Sequence, residues 1–533
     1  MRAAEPTQAP RLATRLAATR ARRGALALGC GALYAAAQPG APFGSAWPLA
    51  FACGVPLVVA LAGRGARERA VLGWLAGTAA TCLSTVVPAA VSSTAYFGVS
   101  PWEALAIALT VGQVFGAGSM AAFAALAGPL EERSAAVAIA RVAVAWTAAE
   151  LLRSTLFTGL PWILLAHALT TAPALLQPAA WTGAAGLALL VAAVNGAFAV
   201  AALRGAAARR PAFAALAGVG ACFAAAYLAS GLADGGAGGA PRPGAVLASG
   251  TGGTGAVHVR LVQPNARAAA RASSAGVGAE LDRLVALTAA GGPVDLAVWP
   301  ENALRAVLPA NLGLLARAWP DRATRPRALL VGAPRSDAAE PGALFNSAFS
   351  LDDAFAVEAV HDKVHLLPLG EYVPAPLRAL GVSGHDTRAG EAPRVLGARD
   401  GLRIGALVCY EIAFAPLARA LAHDGADVLV NVANDGWFGR TGAVEQHFAS
   451  AVLRAVETGR PVLRATHTGV TAAIDAWGRV VARAPEHAAT ALDADVVPGG
   501  PTTAFAATGD VAGPVACAFA FALALAPRRS SRC

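Results

Sequence analysis

Long apolar runs constrain the folding of this chain more than any other feature of its sequence. A membrane-spanning helix needs about 20 predominantly apolar residues, and eight runs approach or reach that length. The composition, 56% hydrophobic and only 14% charged, differs from that of an ordinary globular protein. We therefore predict about eight α-helical spans. They are residues 24–38, 45–63, 70–92, 102–127, 135–153, 180–203, 211–230 and 508–526.

The arginines cluster at alternate ends of these runs. They precede the first run and follow the second, fourth, sixth and last runs, whereas the loops at 39–44 and 93–101 carry no basic residue. Because cytoplasmic loops carry the excess of Lys and Arg, both termini are predicted to be cytoplasmic, with residues 231–507 across the membrane. Buried helices of a soluble protein are one alternative, but they would not produce this alternation. A cleaved signal peptide is another, although further spans follow the first run.

The composition also divides the chain into membrane and soluble parts. The predicted order is a basic cytoplasmic tail (1–23), a seven-span membrane domain (24–230), a linker rich in Gly, Pro and Ala (231–256), an extracytoplasmic catalytic domain (257–500), a last span (508–526) and a cytoplasmic tail (527–533). In the soluble part, short apolar strands alternate with helices, which indicates a layered α/β domain. Strands are predicted at 257–263, 294–299, 327–334, 346–351, 355–361, 402–408, 427–432 and 462–475, and helices at 279–290, 414–423 and 443–458.

Three reactive side chains follow predicted strands of the soluble part: Glu301, Lys363 and Cys409. Functional groups of α/β sheets collect where strands end. A carboxylate can take a thiol proton, and an ammonium group lowers a thiol pKa and stabilises an oxyanion. Taken singly, these residues could be a helix cap, a loop cation and a core cysteine. Together they indicate thiol-based acyl chemistry.

Cys409 is the only cysteine between residues 231 and 507. A lone thiol in an exported, oxidising region has no partner for a disulfide within its domain. The sequence also contains no P-loop, Rossmann glycine fingerprint or zinc-type Cys/His spacing. The other six cysteines lie in or beside the apolar runs: Cys30, Cys53, Cys82, Cys222, Cys517 and Cys533.

The motifs around the three reactive residues resemble those of the carbon–nitrogen hydrolase (nitrilase) superfamily. These motifs are Trp299-Pro300-Glu301, Lys363 within residues 361–374, and Cys409-Tyr410-Glu411. Within the superfamily, the chain is similar to the apolipoprotein N-acyltransferases, which are its membrane members. Further matches to that family are residues 431–439, Gln446-His447, residues 459–466 and, in the membrane part, Trp146, Glu150, Arg153 and residues 158–162.

The resemblance implies a nitrilase-like αββα sandwich and a catalytic triad of Glu301, Lys363 and Cys409. For Arg153, structural pairing with Glu150 or contact with a lipid headgroup is favoured over catalysis, because the two residues lie three apart on one helix face. Supporting or substrate-binding roles are implied for Glu371, Tyr410, Glu411, Asn434, Trp437 and Arg153.

The implied reaction moves an acyl chain from a phospholipid, through a thioester on Cys409, to the α-amine of the N-terminal diacylglyceryl-cysteine of a lipoprotein. The alternatives are a membrane-tethered amidase or nitrilase that uses water as the acceptor, and a non-catalytic scaffold. The predicted setting is a bacterial inner membrane, for a monomer with no metal, cofactor or nucleic-acid partner. His467 stands where the family commonly has Asn, and we predict a loop or pocket residue there rather than a base.

Overall fold

The structure is a computed structural model that describes residues 19–42, 44–131, 134–231, 246–248, 255–266, 274–337, 340–379, 386–397, 401–500 and 502–525. The N-terminal part is helical. Its helices begin at recognisable caps, such as the capping box of Ser100 and Glu103 at the start of α5. The helices are α1 (Arg20–Ala37), α2 (Val55–Leu61), α3 (Ala66–Ser84), α4 (Val86–Phe97), α5 (Pro101–Val111), α6 (Gly118–Leu126), α7 (Ala135–Thr155), α8 (Pro173–Leu176), α9 (Ala179–Arg204) and α10 (Arg209–Ser230).

Helices occupy the predicted apolar runs, but not all of them are long enough to cross a membrane. Among the described residues, three helical stretches have the necessary length and apolar character: Pro101–Leu126, Ala135–Thr155 and Ala179–Ser230. A fourth is possible if α3 and α4, which meet at a bend of 54°, form one broken span. The stretch Ala179–Ser230 combines α9 and α10. The presence of membrane-type helices agrees with the prediction, whereas the number of about eight spans is not confirmed.

The soluble part contains two β-sheets within the described ranges. One has the order β1-β14-β2-β3-β4-β5-β6, with β7 paired to β5, and the other has the order β13-β12-β11-β10-β9-β8. The strands are β1 (Val246–Ala248), β2 (Val257–Gln263), β3 (Leu296–Val298), β4 (Ala328–Asp337), β5 (Glu340–Asp352), β6 (Val357–Asp362), β7 (Thr387–Arg388), β8 (Val395–Gly397), β9 (Arg403–Val408), β10 (Val428–Ala433), β11 (Val462–Thr466), β12 (Ala472–Ile474), β13 (Val480–Arg483) and β14 (Thr490–Val496).

The alternation of side chains along the strands builds a four-layer sandwich. Val430 of β10 packs in a core between the two sheets, together with Val298 of β3, whereas its neighbour Leu429 faces the outer layer. Helices cover both outer faces, so the predicted αββα sandwich is present. The helices of this part are α11 (Ser274–Ala289), α12 (Gly313–Ala318), α13 (Ala375–Ala379), α14 (Ala415–His423) and α15 (Ala443–Thr458), and the chain continues with α16 (Ala504–Thr508) and α17 (Ala512–Leu525).

Two predictions about the soluble part need correction. The single strand predicted at 462–475 is two antiparallel strands, β11 and β12, because the chain turns back between Thr466 and Ala472. The predicted linker at 231–256 lies mostly outside the described residues, but it contains β1, which pairs with β14 in the first sheet. The tails at 1–23 and 527–533 also lie largely or wholly outside the described residues. The domain boundaries themselves stay predictions.

Helix α15 joins the soluble domain to the membrane helices. Every described residue of this helix except Glu445 is buried, because one face covers the sheet that contains β10 and the other contacts α9. At the helix end, the Glu457 carboxylate accepts a hydrogen bond from the Ala184 N–H (2.8 Å) and pairs with Arg454 (2.8 Å). The Ala184 N–H is available because Gly183 breaks the helical conformation of α9, with φ of 67°.

The buried Glu457–Arg454 pair predicts a clear effect on stability. Replacing Glu457 by Ala leaves the Arg454 guanidinium buried without its partner, which costs on the order of 3–5 kcal/mol. We expect Glu457→Ala to lower the unfolding temperature of the detergent-solubilised protein by several degrees. The matched control is Glu445→Ala, since Glu445 lies on the same helix and pairs with Arg483 in a half-exposed position. Equal unfolding temperatures for the two variants would contradict this account.

Candidate active site

Cys409 lies in a strained turn at the carboxyl end of β9. It begins a 3-10 turn, Cys409–Ala413, and has φ of 52°, a region that residues with a Cβ rarely adopt. Its carbonyl accepts hydrogen bonds from Asn431 Nδ2 and His447 Nε2, both at 3.2 Å. These bonds, made inside the domain, hold the turn in a conformation that presents the thiol at the end of the sheet.

The carboxylate and ammonium groups predicted at the other strand ends meet beside this thiol. The Lys363 ammonium lies 2.7 Å from Glu371 Oε2 and 3.8 Å from Glu301 Oε1. Asn346 donates from Nδ2 to both carboxylates, at 2.8 Å each. All four side chains are buried. The structure thus brings Glu301, Lys363 and Cys409 into one cluster, while their catalytic roles stay predictions.

Burial and mutual charge set the protonation of this cluster. Burial raises the pKa of the Cys409 thiol well above its usual value, and the Glu301 carboxylate raises it further, against the opposing effect of Lys363. Burial also raises the pKa of Glu301, which Lys363 partly offsets. For Lys363, burial opposes the charge, yet the carboxylates of Glu371 and Glu301 prevail and its pKa is raised. The resting site therefore holds a neutral thiol beside a permanent cation and a carboxylate suited to proton transfer.

Glu411 ties together two of the strand ends. Its fully buried carboxylate accepts from the Val408 N–H (2.7 Å) in the Cys409 turn and from the Val364 N–H (2.6 Å) in the Lys363 loop. His361 Nε2 lies 3.0 Å from the same carboxylate. Burial alone would raise the pKa of Glu411, but His361, the Val408 N–H and the Lys363 charge lower it. Glu411 is consequently a fixed anion that sets the distance between the lysine and the cysteine.

An apolar cavity of about 240 Å³ connects Cys409 with the membrane helices. The Tyr410 hydroxyl contacts the Gly159 carbonyl (3.4 Å) in the loop after α7. In the same loop, Trp162 Nε1 donates to Gln446 Oε1 (2.7 Å), and Gln446 Nε2 donates to the Ser84 carbonyl at the end of α3. The cavity wall includes Thr85, Ile107, Arg153, Trp162, Leu367, Cys409, Tyr410, Asn434, Trp437 and Phe438.

Arg153 and the other predicted supporting residues lie around the thiol in different ways. Arg153 lies in the cavity wall and forms the expected ion pair with Glu150, at 3.9 Å. Asn434 provides a backbone hydrogen bond that lowers the pKa of the Cys409 thiol. Trp437 is half-buried and lies near Asn434. Their contributions to substrate binding stay predictions.

Several residues of the site were not singled out from the sequence. A buried network joins Arg464, Asp435 and His447 to the Cys409 turn: Arg464 Nη2 donates to both Asp435 oxygens, and His447 Nδ1 lies 2.8 Å from Asp435. His447 and Asp435 do fall within motifs that resemble the family, which is a usable signal. For Asn346, the only signal in the sequence was its position at the start of the strand predicted at 346–351.

His467 lies behind the site rather than at the thiol. Its Nε2 is 2.7 Å from the backbone carbonyl of Glu301 and its Nδ1 is 3.5 Å from Glu280. His467 follows β11 in the connection to β12, which is the position of a loop residue. Among the described residues, no group of three or more His, Cys, Asp or Glu side chains could hold a metal ion.

The domain built from the two sheets belongs to the carbon–nitrogen hydrolase superfamily. A family model described as carbon-nitrogen hydrolase matches residues 258–500. A second model, described as the apolipoprotein N-acyltransferase N-terminal domain, matches residues 30–197. One solved structure, a carbon-nitrogen hydrolase from Helicobacter pylori, is 14% identical with a TM-score of 0.34, covering 45% of this chain and 89% of that one.

Curated relatives align with about two thirds of the chain. The apolipoprotein N-acyltransferase of Brucella melitensis is 35% identical over 376 residues, which cover 67% of each protein. That of Allorhizobium ampelinum is 34% identical over 357 residues, which cover 64% of each. The alignments thus span about two thirds of these relatives. The chain belongs to the apolipoprotein N-acyltransferase family.

The electrostatics of the cluster predict opposite pH shifts in two variants. Glu301→Gln removes a negative charge that raises the pKa of the thiol, so alkylation of Cys409 by iodoacetamide should reach its half-maximal rate at lower pH than in the wild type. Lys363→Met removes the cation that lowers this pKa, so the midpoint should move to higher pH. The measurement is peptide mass spectrometry of Cys409 alkylation across a pH series.

The control for this experiment is Glu445→Gln. The Glu445 carboxylate is half-exposed and pairs with Arg483 rather than with the cluster at the thiol, so this variant should leave the midpoint of Cys409 alkylation unchanged. Shifts in the same direction for Glu301→Gln and Lys363→Met would contradict the assigned charges.

Proposed function

We propose that this protein is a phospholipid:apolipoprotein N-acyltransferase. It transfers an acyl chain from a membrane phospholipid to Cys409 and then to the α-amine of the N-terminal diacylglyceryl-cysteine of a lipoprotein. The observation that carries the proposal is the position of the Cys409 thiol. It lies beside Glu301 and Lys363, and it faces an apolar cavity lined by membrane helices.

In the first half-reaction, Cys409 Sγ attacks the ester carbonyl of the phospholipid while Glu301 takes the thiol proton. The Lys363 ammonium, held by Glu371 at 2.7 Å, stabilises the oxyanion of the tetrahedral intermediate. Glu301 then returns the proton to the departing lysophospholipid oxygen, and a thioester remains on Cys409. The raised pKa of Glu301 suits both steps, because the group must accept and release one proton.

In the second half-reaction, the free α-amine of the acceptor attacks the thioester carbonyl. Glu301 removes a proton from the amine, the C–N bond of the amide forms and the C–S bond breaks. The Cys409 sulfur receives the proton and the thiol is restored. The curated relatives carry the name apolipoprotein N-acyltransferase, and this supports an amine acceptor rather than water. The amidase or nitrilase that uses water is therefore the second candidate.

The proposed setting is the bacterial inner membrane, with about eight spans, both termini cytoplasmic and the catalytic domain on the extracytoplasmic side. The alternation of arginines supports this orientation. We place Arg153 at the cavity wall as a contact for a lipid headgroup or as a partner that fixes Glu150. Glu371, Tyr410 and Glu411 support the triad, Asn434 and Trp437 contact substrate, and the enzyme acts as a monomer.

The acyl-enzyme provides the decisive test. Intact mass spectrometry of the full-length protein, after incubation with palmitoyl-oleoyl-phosphatidylethanolamine, should show a hydroxylamine-sensitive acyl adduct that is absent in Cys409→Ser. A synthetic diacylglyceryl-cysteine peptide should discharge the adduct and become N-acylated. Discharge by water alone would establish the hydrolase instead. A folded wild-type protein that forms no adduct would overturn the covalent mechanism.

A further inference from the structure

A second cavity reaches the active site, and its lining residues all come from the soluble domain. It has a volume of about 530 Å³, and its wall carries a larger share of polar groups than that of the apolar cavity. Glu301, Asn346 and Glu371 line this polar cavity, whereas Cys409 lines the apolar one. Asn434 and Trp437 line both. Glu301 thus faces the polar cavity and Cys409 faces the apolar cavity, and the two cavities meet at Asn434 and Trp437.

The wall of the polar cavity comes from the soluble domain alone. Near the reactive cluster it presents carboxylates, and farther out it presents polar and cationic side chains from several loops and strand ends. Leu344 of β5 is 44% exposed at the rim. The outer wall includes Asn302, Arg305, Thr387, Thr468 and His487. Such a wall can pair with the N–H and C=O groups of an extended peptide, whose desolvation would otherwise be costly.

We propose that the polar cavity binds the polypeptide segment of the acceptor, meaning the residues that follow its diacylglyceryl-cysteine. This inference rests on the proposed function. An acyl chain bound as the thioester occupies the apolar cavity, so the amine must reach the thioester carbonyl from a side where Glu301 can take its proton. The polar cavity is that side. It also keeps the polar polypeptide out of the bilayer, where its backbone groups would lack partners.

The charges of the cavity agree with this ligand. The carboxylates of Glu301 and Glu371 lie at its inner end, where they attract the positively charged α-amine before it gives up a proton. The ammonium first releases one proton to water and becomes the free amine. The amide C–N bond then forms, the thioester C–S bond breaks, and a second proton passes from the nitrogen through Glu301 to the Cys409 sulfur.

Measuring the two half-reactions separately tests the polar cavity independently of the catalytic cluster, because only the second half-reaction uses the acceptor. Two acceptors are compared on the acyl-enzyme formed with palmitoyl-oleoyl-phosphatidylethanolamine: diacylglyceryl-cysteine amide, and the same group followed by four polar residues. We expect the wild type to have a KM about tenfold lower for the longer acceptor, which equals about 1.4 kcal/mol of added binding. Leu344→Trp, which fills the rim, should abolish this difference while the rate of acylation of Cys409 stays unchanged.

The matched control is Ala343→Trp, because Ala343 is the neighbouring residue on β5 and is not among the residues that line the cavity. It should preserve the preference for the longer acceptor. Equal KM values for both acceptors in the wild type would overturn the assignment, as would an unchanged preference in Leu344→Trp. A protein that forms no acyl adduct would instead overturn the proposed function, so the two failures are distinguishable. Normal acylation in Leu344→Trp also establishes that the variant is folded.

Discussion

Burial of helix α15 on both of its sides is the constraint on which the rest of the structure depends. The same helix covers one sheet of the soluble domain and contacts the membrane helices, so the two parts share one apolar core. Because this helix is buried on both sides, its polar side chains must bond to other groups of the protein rather than to water. Its Glu457 does so through Arg454 and the Ala184 N–H at the break in α9. The soluble domain is therefore fixed against the membrane helices rather than tethered by a linker.

This fixed contact determines where the reactive thiol lies. Gln446, near the start of α15, bonds to Trp162 and to the end of α3, and the next residue, His447, supports the carbonyl of Cys409. Gln446, which bonds to the membrane part, and His447, which holds the strained Cys409 turn, are thus adjacent in the chain. As a result, the thiol faces an apolar cavity between the two parts, where an acyl chain can lie away from water.

Many polar groups of the site bond to one another and to backbone groups. Glu411 accepts from both the Cys409 turn and the Lys363 loop, and Asn346 bridges Glu301 and Glu371. Buried networks of this kind are rigid because loss of any member leaves another without a partner. Rigid positioning suits a reaction in which one carboxylate must serve as base and acid in turn.

The sequence by itself indicated the layered α/β domain, the long apolar helices and the three residues that meet at the site, because each leaves a local signature: a short apolar strand, a long apolar run, or a reactive side chain just after a strand. It could not fix the number of spans, since several of the helices are short or bent. Nor could it show that residues 462–475 turn back on themselves, because the buried turn at residues 467–471 contains Val and Thr, which are common in strands. Only the tertiary structure decided that Asn346 and His447 join the site and that two cavities meet there. Those contacts link residues far apart in the chain, and no local pattern encodes them.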